Sequence, residues 1–130
     1  MTVLIDTCIL VDALNGRRGC KQFLRDLSDQ GHELASCAIT VAEVYAGMRS
    51  GESLKTERSF AGLEYFPTTE NTAKLGGELR ALWARKGKTI ALTDTLIAAV
   101  AIENNLAIAT DNVKDFPMPE LKILTPPRPH

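Results

Sequence analysis

The stretch Thr2-Val3-Leu4-Ile5-Asp6-Thr7-Cys8-Ile9-Leu10-Val11-Asp12-Ala13-Leu14-Asn15-Gly16 decides the fold. Thr2 to Asp6 reads as a short buried strand, because β-branched and aliphatic residues run unbroken up to the aspartate. Cys8 to Leu14 reads as a helix, and Asn15-Gly16 is a good stop signal. A buried strand that runs straight into a helix is the first step of a parallel α/β sheet. It also leaves Asp6 at the carboxyl end of the strand, the edge where such sheets bind ligands.

The alternation continues along the chain. Cys20 to Leu27 carries Phe23, Leu24 and Leu27 at helical spacing and ends at Gly31. Leu34-Ala35-Ser36 is a second strand, Thr40 to Met48 and Ser53 to Leu63 are helices, and Tyr65-Phe66-Pro67 is a third strand. Asn71 to Lys86 is a long helix with Leu75, Leu79, Leu82 and Trp83 in one stripe. The Gly76-Gly77 pair inside it is a weak point or a close-packing contact. Asp94 to Asn104 follows a short extended run and is apolar almost all round, as a buried helix is. Ala107 to Thr110 and Leu121 to Leu124 give a fourth and a fifth strand. The expected fold class is α/β: one domain over residues 1–130, with a mainly parallel sheet of about five strands flanked by helices. The tail from Thr125 to His130, rich in proline, is expected to be mobile.

Composition narrows the function. The chain has 130 residues, 45% of them hydrophobic, enough for one sizeable core. A net charge of −1 argues against a strongly basic, non-specific nucleic-acid binder but leaves room for a local basic patch. Cys8, Cys20 and Cys37 form no CxxC pair, which disfavours a disulfide framework or a zinc site. Cys8 and Cys37 read as small, inert core residues. No apolar run is long enough to span a bilayer and no signal segment opens the chain, so a cytoplasmic protein is expected. Phosphate-loop, dinucleotide, serine-hydrolase and zinc-protease motifs are absent. His32 and His130 are poorly placed for a general base.

Acids carry the chemistry. Asp6, Glu43 and Asp94 each stand beside an apolar or helix-forming run, where a carboxylate is costly unless paired or bound to a cation. Gathered at one sheet edge, they would make an oxygen-ligand site for a hard divalent metal. Each also has a bland reading. Asp6 or Thr7 can cap the helix after it. Thr40-x-x-Glu43 matches a capping box. Asp94 can favour a helix N-terminus, with Thr93 as its cap. Asp111, Asn112 and Asp115 follow the fourth strand and can form an Asx-type turn.

These residues resemble those of the PIN-domain ribonucleases of the VapC toxin type. The resemblance lies in Val3-Leu4-Ile5-Asp6-Thr7-Cys8-Ile9-Leu10-Val11-Asp12, in Ser36-x-x-x-Thr40-x-x-Glu43-Val44-x-x-Gly47, in Leu92-x-Asp94-x-x-Ile97-Ala98-Ala99-x-Ala101, and in Ala109-Thr110-x-Asn112-Val113-Lys114-Asp115-Phe116. The four motifs occur in the family's order and cover nearly the whole chain. The resemblance implies an Mg²⁺- or Mn²⁺-dependent endoribonuclease, a toxin that forms a homodimer and is silenced by a VapB-type antitoxin. Asp6, Glu43 and Asp94 match the three core acids and Asp115 the fourth; Asn112 stands where many PIN domains carry an acid. On this reading Asp6 and Asp94 are the main ligands, and Glu43 holds the ion through water or orients the nucleophile. Asp115, with Asn112, completes the site, while Thr7 and Thr110 hydrogen-bond the carboxylates.

Candidate contacts to RNA phosphates are Arg17, Arg18, Lys21, Arg80, Arg85, Lys86, Lys88 and Lys114. Exposed apolar residues between Thr40 and Leu63 would suit the antitoxin. Rival readings are a PIN-like processing nuclease without an antitoxin, a phospho-acceptor receiver domain, and a PIN fold that only binds partners. Tyr65-Phe66-Pro67-Thr68-Thr69 offers no acceptor aspartate for the receiver reading.

Overall fold

A computed structural model describes residues 1–127. Five strands, β1 (Thr2–Ile5), β2 (Glu33–Cys37), β3 (Glu64–Phe66), β4 (Ala107–Ala109) and β5 (Ile123–Leu124), form one sheet in the order β3-β2-β1-β4-β5. Every pairing is parallel, with Leu4 between Ala35 and Ile108. Six helices cover the sheet: α1 (Thr7–Leu14), α2 (Cys20–Asp29), α3 (Ala38–Ala46), α4 (Ser53–Ala61), α5 (Glu70–Arg85) and α6 (Leu92–Asn104). The expected α/β architecture with five strands is the one observed, with element ends shifted by a few residues.

Alternation along β1 sets the two layers. Leu4 faces a core built with α5 and α6, while Val3 and Ile5 face one built with α1 and α2. The central strand is thus buried on both faces, which explains its unbroken apolar run. Helix α6 lies in the first core with Ile97, Ala98, Ala99, Val100 and Ala101 all buried. Its neighbour α5 approaches closely at Gly76, where an added Cβ would sit 2.7 Å from Leu96 Cδ2 and 3.2 Å from Leu96 Cα. Of the two readings of the glycine pair, Gly76 is the close-packing contact and Gly77 faces open space.

Some expectations need correction. The short run Thr89 to Ala91 ahead of α6 pairs with no strand of the sheet, and Ile90 within it is buried. In the α5 stripe Leu79 is buried, but Leu82 is exposed. Pro126 is buried, so the tail leaves the body later than Thr125. Arg128 to His130, the end of the tail expected to be mobile, lie outside the described residues. Among the described residues no helix is long and apolar enough to cross a membrane.

Candidate metal and active site

Strand order changes direction beside β1: β2 and β3 lie on one side, β4 and β5 on the other. Ligands bind at such a switch point, beyond the strand carboxyl ends. Asp6 N–H extends the ladder to Ala109 O at 2.9 Å, and Thr110 N–H reaches Leu124 O at 3.0 Å. Asp6 and Thr110 therefore emerge side by side from β1 and β4.

A cavity of about 450 Å³ opens at this point. It is lined by Asp6, Thr7, Cys8, Val11, Asp12, Arg18, Glu43, Asp94, Asn112 and Asp115. All four acids singled out in the sequence reach it, from four separate segments, and so do Thr7 and Asn112. Thr110 stands behind, fully buried.

The carboxylates are held by specific donors. Asp6, itself buried, accepts from Thr7 N–H on Oδ1 at 2.9 Å and from the Thr110 hydroxyl on Oδ2 at 2.7 Å. The Cys8 thiol points at the same Oδ2, at 3.5 Å. Thr110 Oγ1 in turn accepts from Asn112 N–H at 3.0 Å, so the turn after β4 fixes the hydroxyl that fixes Asp6. The Thr7 hydroxyl donates to Glu43 Oε1 at 2.7 Å and ties α1 to α3.

The bland readings divide. Asp6 does cap α1. The capping box at Glu43 does not form: α3 begins at Ala38 after Cys37, no side chain caps it, and Thr40 is buried inside the first turn. Thr93 does not cap α6, whose N-cap is Ala91; Asp94 sits in the first turn. The turn after β4 is made by Thr110 and leads into a single 3₁₀ turn, Val113–Asp115.

Burial pushes the Asp94 carboxyl up to about 6, with the charges of Asp6, Asp115 and Glu43 adding to it. Loss of water around the carboxyl is the larger cause, and the three like charges act in the same direction. Five carboxylates and one guanidinium line the cavity. This oxygen-rich donor set fits a hard divalent cation. Among the described residues no three His, Cys, Asp or Glu side chains yet converge tightly enough to grip an ion. Mg²⁺ tolerates this, since it retains several waters and needs few direct protein ligands.

Two expectations about individual residues change. Cys8 is inert as expected but is not a core residue: it lines the cavity, half-buried, and burial together with the nearby Asp6 charge pushes its thiol up to about 11. Of the candidate RNA-binding cations, Arg18 alone lines the cavity. Arg17 lines a separate pocket beside Arg49 and Lys55. Arg80 and Arg85 belong to α5, and Lys86, just past it, lies 4.5 Å over the Trp83 ring. The Lys88 ammonium is held by the Lys114 carbonyl. Asp12 was not anticipated as a cavity residue. The signal was available: Cys8, Val11 and Asp12 stand at i, i+3 and i+4, one face of α1.

Comparison with known proteins agrees with this geometry. A family model described as the PIN domain matches residues 3–117. Ribonuclease VapC19 of Mycobacterium tuberculosis is 36% identical over 120 residues, covering 92% of this chain and 96% of the relative. Ribonuclease VapC10 of the same organism is 34% identical over 116 residues, covering 89% and 86%. Among solved structures, VapBC2 from Rickettsia felis bound to a DNA fragment from their promoter matches with a TM-score of 0.79 at 27% identity, covering 96% and 98% of the two chains. A toxin–antitoxin complex from Klebsiella pneumoniae matches with a TM-score of 0.78 at 28% identity, covering 97% and 98%. The chain therefore belongs to the PIN domain family and, within it, to the VapC ribonucleases.

Proposed function

We propose that this chain, as one nuclease domain, is the toxin of a toxin–antitoxin pair: an endoribonuclease dependent on Mg²⁺ or Mn²⁺. It works in the cytoplasm as a homodimer and is silenced by a VapB-type antitoxin. The observation that carries the reading is the single cavity into which Asp6, Glu43, Asp94 and Asp115 converge. A bound divalent ion supplies charge neutralisation and an activated water for phosphodiester hydrolysis. Asp6 and Asp94 would hold it directly. Glu43, fixed through Oε1 by Thr7, would use its other oxygen to orient the attacking water. Asp115 and Asn112 would complete the site from the 3₁₀ turn. The Thr110 hydroxyl holds Asp6 in place ahead of the ion.

A second surface supports the antitoxin. An apolar groove of about 800 Å³ is lined by Leu10, Leu14, Leu24, Leu34 and Leu63, with Lys21, Lys55 and Arg58 beside them. It draws on α1, α2 and α4 and so extends beyond the expected Thr40 to Leu63 face, on which Tyr45 and Leu54 are exposed.

The test is cleavage of a mixed structured-RNA pool by purified wild type and Asp6→Asn, in Mg²⁺ or Mn²⁺ and in EDTA. Cleavage lost in both the variant and EDTA supports the reading. Cleavage that survives EDTA, or that Asp6→Asn retains, rejects the carboxylate-metal mechanism.

A further inference from the structure

Five acids facing one cavity suit a cation but repel an anionic substrate. RNA arrives as a polyanion, and a single divalent ion leaves the cavity wall negative. Among the lining residues only Arg18 carries the opposite charge. Its guanidinium spans two segments at the cavity mouth: Nη1 donates to Asp111 Oδ2 at 3.0 Å, and Nε lies 3.8 Å from Asp12 Oδ2. Asp111 follows β4 and Asp12 is on α1, so the two carboxylates aim the group from opposite ends of its reach.

The side chain is nonetheless 67% exposed. A guanidinium has five N–H donors in a planar fork, and the bond to Asp111 uses one of them. Arg18 also adopts a left-handed backbone, φ 55°, which a residue with a Cβ enters at a cost. In a two-glycine turn, with Gly16 and Gly19 also at positive φ, the one non-glycine in that region is the arginine at the cavity. Strain of this kind points from an observed outlier to a functional hypothesis.

We propose that Arg18 is this chain's phosphate-binding residue: anchored by Asp111 and Asp12, it presents its remaining donors to the RNA phosphodiester entering the acid cavity. The inference rests on the ribonuclease reading above and adds the group that overcomes the cavity's own repulsion of the substrate. Arginine suits the role because its fork matches two phosphate oxygens at once. Asp111 and Asp12 are positioning residues here, since they act through Arg18.

The test measures binding of a fluorescein-labelled, mixed-sequence single-stranded RNA 12-mer by anisotropy across a salt series. Ca²⁺ is the metal, with cleavage of the same RNA in Mg²⁺ followed in parallel. Wild type is compared with Arg18→Gln, Arg18→Lys and Arg18→Gly. Glycine removes the guanidinium while relieving the left-handed backbone, so it keeps the fold even if glutamine does not.

Loss of one phosphate contact lowers the slope of log affinity against log salt by about 0.7 for a single strand. Arg18→Gln and Arg18→Gly are expected to show that loss with roughly ten-fold weaker binding. Arg18→Lys keeps the slope but loses part of the affinity. Unchanged slope and affinity in the glycine variant, with wild type cleaving, would reduce Arg18 to a structural tie and overturn the proposal alone. Wild type that neither binds nor cleaves removes the ribonuclease reading and this inference with it.

Discussion

Replacing Asp94 with asparagine should make the metal-free protein more stable at neutral pH while removing its activity. Burial, then the charges of Asp6, Asp115 and Glu43, raise the Asp94 carboxyl from 3.8 to about 6. An acid with a raised folded pKa holds its proton more tightly in the native chain than in the unfolded one. Stability is then highest below about pH 4 as far as this group is concerned, falls as pH rises through the window to about 6, and stays reduced above it. At about 1.4 kcal/mol per pH unit the full penalty would be about 3 kcal/mol. Asp94 is only half-buried, and solvent screening brings this down to about 1.5 kcal/mol. Asparagine also gives up the favourable position of an anion in the first turn of α6, worth about 0.5 kcal/mol. The net expectation is a gain of about 1 kcal/mol at pH 7.5, or about 3–5 °C in Tm for a domain of this size. Urea melts in EDTA at pH 4, 6 and 7.5 measure it: the two proteins should differ least at pH 4 and most at pH 7.5. Millimolar Mg²⁺ or Mn²⁺ should stabilise wild type and leave Asp94→Asn behind, because the ion binds only the folded site. A variant that is less stable than wild type at pH 7.5 in EDTA would refute the reasoning and make Asp94 a structural residue of α6.

Thr110→Val removes the hydroxyl that holds Asp6 and receives Asn112 N–H; it should cost about 2 kcal/mol in a urea melt and roughly ten-fold or more in cleavage rate. Asp6→Asn keeps a good N-cap and Asp6→Ala does not, so both should abolish cleavage while only the alanine variant loses a further ~1 kcal/mol from α1; equal stabilities would deny the cap a role. Gly76→Ala should destabilise by about 1–2 kcal/mol despite better helix propensity, because the Cβ meets the Leu96 backbone. Gly77→Ala, in open space on the same helix, should instead stabilise by about 0.5–1 kcal/mol, and thermal melts showing the same sign for both would contradict the packing of α5 on α6. With its thiol near 11, Cys8 should react with iodoacetamide at pH 8 about twenty-fold more slowly than a free cysteine, the smaller thiolate fraction outweighing its greater nucleophilicity. Mass spectrometry should show Asp6→Asn speeding that reaction, since the Asp6 charge and hydrogen bond both hold the proton on sulfur.

The parts of this molecule legible in the sequence are those where one physical requirement acts locally. The apolar run Val3 to Ile5 admits only a strand covered on both faces, and the uniformly apolar Ile97 to Ala101 only a buried helix. Both decide the fold, and both are where they were expected. Asp6, Glu43 and Asp115 meet because the segments after β1, β2 and β4 leave the parallel sheet at one edge, and Asp94 joins them from the first turn of α6, which no strand precedes. What stayed hidden depended on long-range partners. Thr40 and Glu43 match a capping box at the right spacing, but α3 starts two residues earlier, and Thr7, 36 positions away along the chain, claims Glu43 instead. Arg18 looked like one basic residue among eight until the fold laid it between Asp12 and Asp111. Nothing in its neighbours along the chain marks the 93-residue span of that bond.

Capping and metal binding looked like competing readings for the acids, and at Asp6 they are the same arrangement. Asp6, between β1 and α1, turns its carboxylate onto the Thr7 N–H at the helix start, and the same turn places it at the sheet edge. Asp6 gathers three donors there: Thr7 N–H, the Thr110 hydroxyl and the Cys8 thiol. They offset the cost of burying it. Glu43 is held by the Thr7 hydroxyl. Asp94 enters a helix whose cap residue is alanine, and its carboxyl is left to burial and to its neighbours' charges. An electrostatic cost of the site therefore falls on Asp94. A cation entering the cavity relieves that cost, so Asp94 should report metal binding directly, while Asp6, held in place beforehand, sets where the ion sits.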